Sequence, residues 1–324
     1  MHKKTLAPAA HLAPSAAATQ HDYRPDIDGL RAVAVLSVVM FHAFPSLLPG
    51  GFIGVDIFFV ISGFLISSIL VQGLRDGSFS FAQFYGRRIK RIFPVLAIVM
   101  LACAAFGWVA LFPDEYKMLG KHIVGGSGFL SNFFLWDEVG YFDTTADTKP
   151  LLHLWSLAVE EQFYIVWPVL LWLTSRWRRA PLLLALLLGT ASFCLNVGGV
   201  QHYPSATFYS PASRMWELLV GAAFAYVHLG GLSLVIGVRR SAGRDALFDF
   251  SGPRWRNGAS VAGLALIGLG LALASPAKRF PGWWALLPTL GALLVLAAGP
   301  AGAAVGRGGQ PQGDKKIPLN RGST

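Results

Sequence analysis

Apolar residues in this chain fall into runs of roughly 17 to 22 positions separated by short polar stretches, the length that crosses a hydrocarbon core at 1.5 Å per helical residue. The runs lie at Leu30 to Leu47, Phe52 to Val71, Phe93 to Phe112, Leu154 to Thr174, Pro181 to Val197, Met215 to Leu229, Gly258 to Ala274 and Trp283 to Ala298. They predict an all-α, polytopic integral membrane helical bundle of about eight spans. A weaker stretch, Leu119 to Trp136, is interrupted by Gly125, Gly126, Ser127 and Gly128 and reads as a re-entrant or surface element.

Loop charge orients the bundle, because short cytoplasmic loops collect Lys and Arg. Basic clusters occur at Arg75 to Arg91, Arg176 to Arg179, Arg239 to Arg256 and Arg307 to Arg321. Eight alternating spans put all four on the cytoplasmic side together with the N-terminus. The segment from Asp137 to His153 and the loop from Gly198 to Pro211 then face outward and are nearly free of Arg and Lys. Lys278 and Arg279, on an outer loop, break the rule.

Composition agrees with the bilayer reading: 54% of the 324 residues are apolar and 14% are charged, too few polar side chains to cover a soluble surface. The formal charge of +10 sits in clusters between apolar runs, so it marks topology and not a nucleic-acid partner. Cys103 and Cys194 lie inside apolar runs and read as small buried hydrophobes. The first 22 residues hold no apolar core of a signal peptide and read as a disordered cytoplasmic tail.

An ionisable side chain at mid-helix costs about 2.5 to 3.5 kcal/mol on insertion scales, so each one within a span asks for a reason. Arg31 and His42 lie eleven positions apart, which returns to within about 20° of one helix face and separates them by roughly 16 Å along the axis. Arg31 is either a snorkelling interfacial cation or an anion-binding group; His42 is either a satisfied histidine or a base suited to proton transfer near neutrality. Asp56, at the start of the second span, is either a helix N-terminal charge or an orienter of the imidazole.

The segment Phe84 to Pro94, taken as the loop after the second span, carries Arg87, Arg88, Lys90 and Arg91. It anchors topology or holds the phosphates of a nucleotide-containing donor. The stretch His153 to Tyr164 brings Glu160 and Glu161 into the fourth span about 100° apart, so one of them faces the same interior as His42. Arg214 and Glu217 can pair three positions apart. No metal-binding motif and no serine-hydrolase elbow is present.

At these residues the sequence resembles the membrane acyltransferase family 3 proteins, which O-acylate envelope polysaccharides, lipopolysaccharide O-antigens and related sugars. Tyr23 to Arg31 with His42 resembles the family's opening, including its Arg, ten residues, His signature. Gly54 to Asp56 with Phe58 to Phe64, Arg88 to Arg91, His153 to Tyr164 and Arg214 to Leu218 are similar to its later blocks. The resemblance runs from about Tyr23 to Pro300 and implies a multi-pass protein of the bacterial inner membrane. It also implies acyl-CoA, usually acetyl-CoA, as donor and a cell-envelope glycan as acceptor on the outer side.

Under it His42 is base or transient acyl carrier, and Asp56 and Glu160 or Glu161 support catalysis. Arg31, Arg88 and Arg91 hold the donor, while His153, Arg214 and Glu217 lie on the acceptor side. Family members typically have about ten spans; this chain passes after Pro300 into a polar tail, residues 301–324, that reads as truncated or aberrant. A transporter or flippase for a lipid-linked sugar is the competing class, since intramembrane Arg, His and Glu also line substrate pathways, and an inactive truncated acyltransferase is the third reading.

Overall fold

The computed structural model describes residues 24–138, 149–177, 179–231, 252–275 and 278–300. The N-terminal tail, the polar tail after Pro300, the basic cluster at Arg307 to Arg321 and most of the cluster at Arg239 to Arg256 lie outside the described residues. Among the described residues the chain is helical with no strand.

The helices in chain order are α1 (Pro25–Ala43), α2 (Gly54–Arg75), α3 (Phe81–Ala110), α4 (Pro113–Ser127), α5 (Ser131–Glu138), α6 (Leu154–Thr174), α7 (Ala180–Gly199), α8 (Pro204–Tyr209), α9 (Pro211–Tyr226), α10 (Pro253–Leu273) and α11 (Leu286–Ala298). Four described segments are long and apolar enough to cross a membrane: Gly51–Arg75, Phe81–Ala110, Ala180–Gly199 and Pro253–Leu273; Gly282–Ala298 is shorter and equally apolar. The chain is a multi-pass membrane protein. Helix α3 leaves Ile98, Leu101, Phe106 and Trp108 uncovered by protein, as suits a surface whose solvent is hydrocarbon.

Helix α2 is the axis of the bundle, packed against α1, α6, α9 and α11. One apolar cluster joins it to α6, α7 and α9 through Phe59, Ile66, Phe163, Trp167, Leu182 and Leu218. A second joins it to α1 and α11 through Ile57, Ile61, Leu30 and Leu296. Its closest approach is to α9. A Cβ on Gly63 would stand 1.8 Å from the Leu218 carbonyl oxygen, and one on Gly221 would stand 2.1 Å from that of Val60. Only glycine at both positions lets the two backbones touch, the device by which membrane helices associate where hydrocarbon offers no hydrophobic drive.

The basic segment Phe84 to Pro94 is helical and not a loop. Ser80 caps α3 by accepting from the Gln83 amide, the helix starts at Phe81, and Pro94 is carried inside it. The cationic side chains therefore project from a helix at fixed angles. The glycine-interrupted stretch forms α4 and α5 joined at Phe129, which adopts φ 54°. That left-handed turn costs an aromatic residue strain, and Gln162 of α6 holds it by donating to the Phe129 carbonyl (2.8 Å) and to Asn132 (2.9 Å).

Lys278 and Arg279, the exception to the charge rule, are engaged locally. Lys278 lies over the Trp284 ring (4.0 Å) and donates to the Leu273 carbonyl at the end of α10, while Arg279 donates to Gln201 (3.0 Å). At the opposite end of the bundle, Arg24 and Arg256 donate to the Leu296 and Ala298 carbonyls, so two guanidinium groups close the last turn of α11.

Candidate functional site

The C-terminal turn of α1 brings His42 against His153, the residue that precedes α6, with ring centroids 4.3 Å apart and planes at 88°. Nδ1 of His42 lies 2.8 Å from the Val38 carbonyl oxygen. A carbonyl can only accept, so Nδ1 carries the proton and Nε2 keeps its lone pair. His42 is exposed, and its ring is open to whatever approaches this end of the bundle. The atoms packed around the His153 ring, and next the charge of His42, hold its pKa below the ordinary histidine value.

Seven residues along α6 from His153, about 10 Å deeper, Glu160 meets α2. Ser62 donates to its Oε1 (2.9 Å) and the Tyr164 hydroxyl approaches Oε2 (3.4 Å). The guanidinium of Arg88 lies over the Tyr164 ring at 4.5 Å, and its charge and that of Arg31 are both felt by Glu160. Arg88 also acts on Glu161, which is buried. Tyr85 of α3 donates to the Ile165 carbonyl (3.0 Å), fixing the rotation of α3 that aims Arg88 at α6. Arg91, one turn on, is exposed. Arg31 makes a loose contact with Asp28 (3.9 Å) and is otherwise partly open.

Asp56 does not orient His42. Its carboxylate lies 3.1 Å from Arg214, and Arg214 also pairs with Glu217 at 3.0 Å. The three side chains are at most 1% exposed, and Phe59, Trp155, Phe208 and Phe280 surround the guanidinium at 5.5 to 5.8 Å. This ion cluster is enclosed by protein. It pins α2 to α9 just beneath the histidine pair, to which it is linked by rings: Phe280 packs on Phe52, Phe52 on Phe41 and Phe41 on His42.

Two residues that sequence reasoning left without a role, Ser62 and Tyr164, are the hydrogen-bond donors to Glu160. Their signal is spacing: Tyr164 is one turn from Glu160, and Ser62 is one of three serines, with Ser67 and Ser68, in the apolar run of α2. Among the described residues no group of three or more His, Cys, Asp or Glu could hold a metal ion.

The family model for an acyltransferase domain, that of acyltransferase family 3, matches residues 24–308. The chain belongs to this family. The peptidoglycan O-acetyltransferase OatA of Listeria monocytogenes is 39% identical to this acyltransferase domain over 214 residues, 63% of this chain and 34% of its own length. The O-acetyltransferase OatA of Staphylococcus aureus is 34% identical over 213 residues, 63% of this chain and 35% of its own. An uncharacterized protein of Haemophilus influenzae is 40% identical over 182 residues, 53% of this chain and 74% of its own. The chain thus spans about a third of the length of the two named enzymes. No solved structure matches it.

Proposed function

We propose that this protein is an O-acyltransferase of the bacterial inner membrane that moves an acetyl group from cytosolic acetyl-CoA to a hydroxyl of a cell-envelope glycan. The observation that carries the proposal is the axial separation of two groups: a histidine with a free Nε2 lone pair at one end of α1, and Arg31 with Arg88 around Glu160 deeper in the bundle. A cationic entry suits the phosphates of coenzyme A, and a base at the other end suits a sugar hydroxyl. With the basic clusters and the N-terminus cytoplasmic, donor and acceptor reach the site from opposite faces.

In the reaction Nε2 of His42 takes the proton of the acceptor hydroxyl as its oxygen attacks the thioester carbonyl. The C–O bond forms, the C–S bond breaks, and the imidazolium returns the proton to the departing thiolate. His153, packed edge-on, restricts the His42 ring to an orientation in which Nε2 points away from Val38. Peptidoglycan is the acceptor that the names of the similar enzymes favour over lipopolysaccharide.

The test is mass spectrometry of peptidoglycan and surface polysaccharide from cells lacking the gene, complemented with this chain or with His42→Ala. An acetyl increment restored by the first and not by the second, at equal membrane abundance, supports the proposal. An increment with both, or with neither, overturns it.

A further inference from the structure

Between the first turns of α2 and α6 lies a cavity of about 190 Å³ lined by Val55, Phe58, Phe59, Ser156, Leu157 and Glu160. Its position follows from two facing stripes. On α2, positions 55, 58, 59 and 62 share one side; on α6, positions 153, 156, 157 and 160 share the side that faces it. The histidine pair stands at one end of these stripes, where His153 meets His42, and the Ser62 to Glu160 hydrogen bond closes the other. Four of the six lining residues are apolar, and the polar ones, Ser156 and Glu160, already have partners: Ser156 donates to the His153 carbonyl and Glu160 accepts from Ser62.

From this geometry we infer that the cavity is the acyl pocket, taking the hydrocarbon part of a short-chain acyl group of up to about four carbons. The inference rests on the acyl-CoA reading above. The volume compares with the roughly 150 Å³ apolar cavity that admits benzene, so it exceeds what two carbons need and is too small to bury a fatty chain. The ends are right for the chemistry, since an acyl chain lying along the stripes places its carbonyl at the histidine end or on the path leading to it. Phe58 is half-buried and lines the cavity from α2, packed against the cluster that joins α2 to α1 and α11, while Leu157 lines it from α6. These two side chains set the permitted length.

The experiment measures binding of free coenzyme A and of its acetyl, butyryl and hexanoyl thioesters to the full chain reconstituted in nanodiscs. Each buried methylene contributes about 0.8 kcal/mol, roughly fourfold in affinity, so butyryl-CoA binds on the order of tenfold more tightly than acetyl-CoA. Leu157→Phe narrows the pocket and removes that preference, whereas Phe58→Ala moves the optimum to the hexanoyl thioester. The two variants act in opposite directions, so a general loss of folding cannot imitate the pair.

Coenzyme A and acetyl-CoA that bind while chain length makes no difference, or variants that keep the original ranking, would overturn the pocket and leave the acyl-CoA reading standing. Failure of coenzyme A and all its thioesters to bind the intact, monodisperse chain would overturn both.

Discussion

His42 and His153 meet edge to face at 4.3 Å although one ends α1 and the other precedes α6. The contact is the meeting point of two elements, and in the proposed reaction it is where the proton is taken from the incoming hydroxyl. His42→Ala is expected to lower acyl transfer by about 10²- to 10⁴-fold, the range for a positioned general base. Because the ring is exposed, elution and melting of the detergent-solubilised protein should not change. His153→Asn keeps His42 but frees its ring, and a smaller loss than that of His42→Ala is expected. Equal losses in a mass-spectrometric transfer assay would assign His153 a role of its own in proton transfer.

Arg214 holds two carboxylates in a setting from which water is excluded. Removing it leaves Asp56 and Glu217 buried without a counter-charge, and breaking such a pair costs about 3–5 kcal/mol. Arg214→Met is therefore expected to lower the Tm by roughly 6–20 °C. The triple change Arg214→Met, Asp56→Asn, Glu217→Gln should recover most of it, since no charge is then stranded. A triple variant as unstable as the single one would show that the cation's contacts with its four aromatic neighbours, and not its pairing with the two carboxylates, hold the cluster.

The helices are legible because apolar runs of bilayer length are a one-dimensional signal, and isolated ionisable groups within those runs single out candidates in the same way. Leu154–Thr174 appears with the predicted bounds. Two kinds of information were not legible. Apolarity alone starts α3 at Phe93, because a run of arginines reads as loop; the helix begins at Phe81, and Ser80 as N-cap is the sequence signal for it. The partner of Asp56 was also out of reach, since the pairing with Arg214 depends on the Gly63 and Gly221 crossing of α2 and α9, which spacing along one helix does not encode.

That crossing makes a sharp prediction of its own. The Cβ of Gly63→Ala would fall 1.8 Å from backbone, which cannot rotate away, so α2 and α9 must separate along their contact. The variant is expected to lose folded protein outright or to lose the Asp56 to Arg214 pairing and with it activity. Gly86→Ala, on α3 with nothing within 4 Å, is the matched control and should be neutral or stabilising by up to about 1 kcal/mol. Fluorescence-detected size exclusion after a heat step distinguishes the two.

His122 of α4 is buried, with its Nε2 3.1 Å from Glu138, which also binds Lys121 at 3.0 Å and Lys149 at 3.3 Å. Burial lowers the His122 pKa; Glu138 opposes this, and Lys149 and Lys121 add to it. A folded-state value below that of the unfolded chain means the unfolded state binds the proton first. The stabilisation is complete above the unfolded value of 6.5 and is lost as pH falls below it toward the folded value. Thermal melts in detergent should give a lower Tm at about pH 5.5 than at about pH 7.5, and His122→Asn should flatten that difference. A slope unchanged in the variant would place the proton uptake elsewhere.

Ser62 is the residue on which the deeper half of the site turns. Its hydroxyl gives Glu160 a hydrogen bond of 2.9 Å from α2, whereas Tyr164 on the same helix reaches the other oxygen only at 3.4 Å. A hydrogen bond to a charged group contributes about 1.5–3 kcal/mol, so Ser62→Ala should lower kcat/KM for acyl transfer by roughly 10- to 150-fold. Ser62→Thr keeps the hydroxyl and is expected to restore most of it. Loss in kcat with KM for the thioester unchanged means that Glu160 acts in the transition state; loss in KM alone means that it positions the donor between Arg88 and the α2 stripe. A Ser62→Ala enzyme indistinguishable from the parent would mean that Tyr164 and Arg88 suffice to hold the carboxyl group, and that the α2 contact to Glu160 serves packing alone.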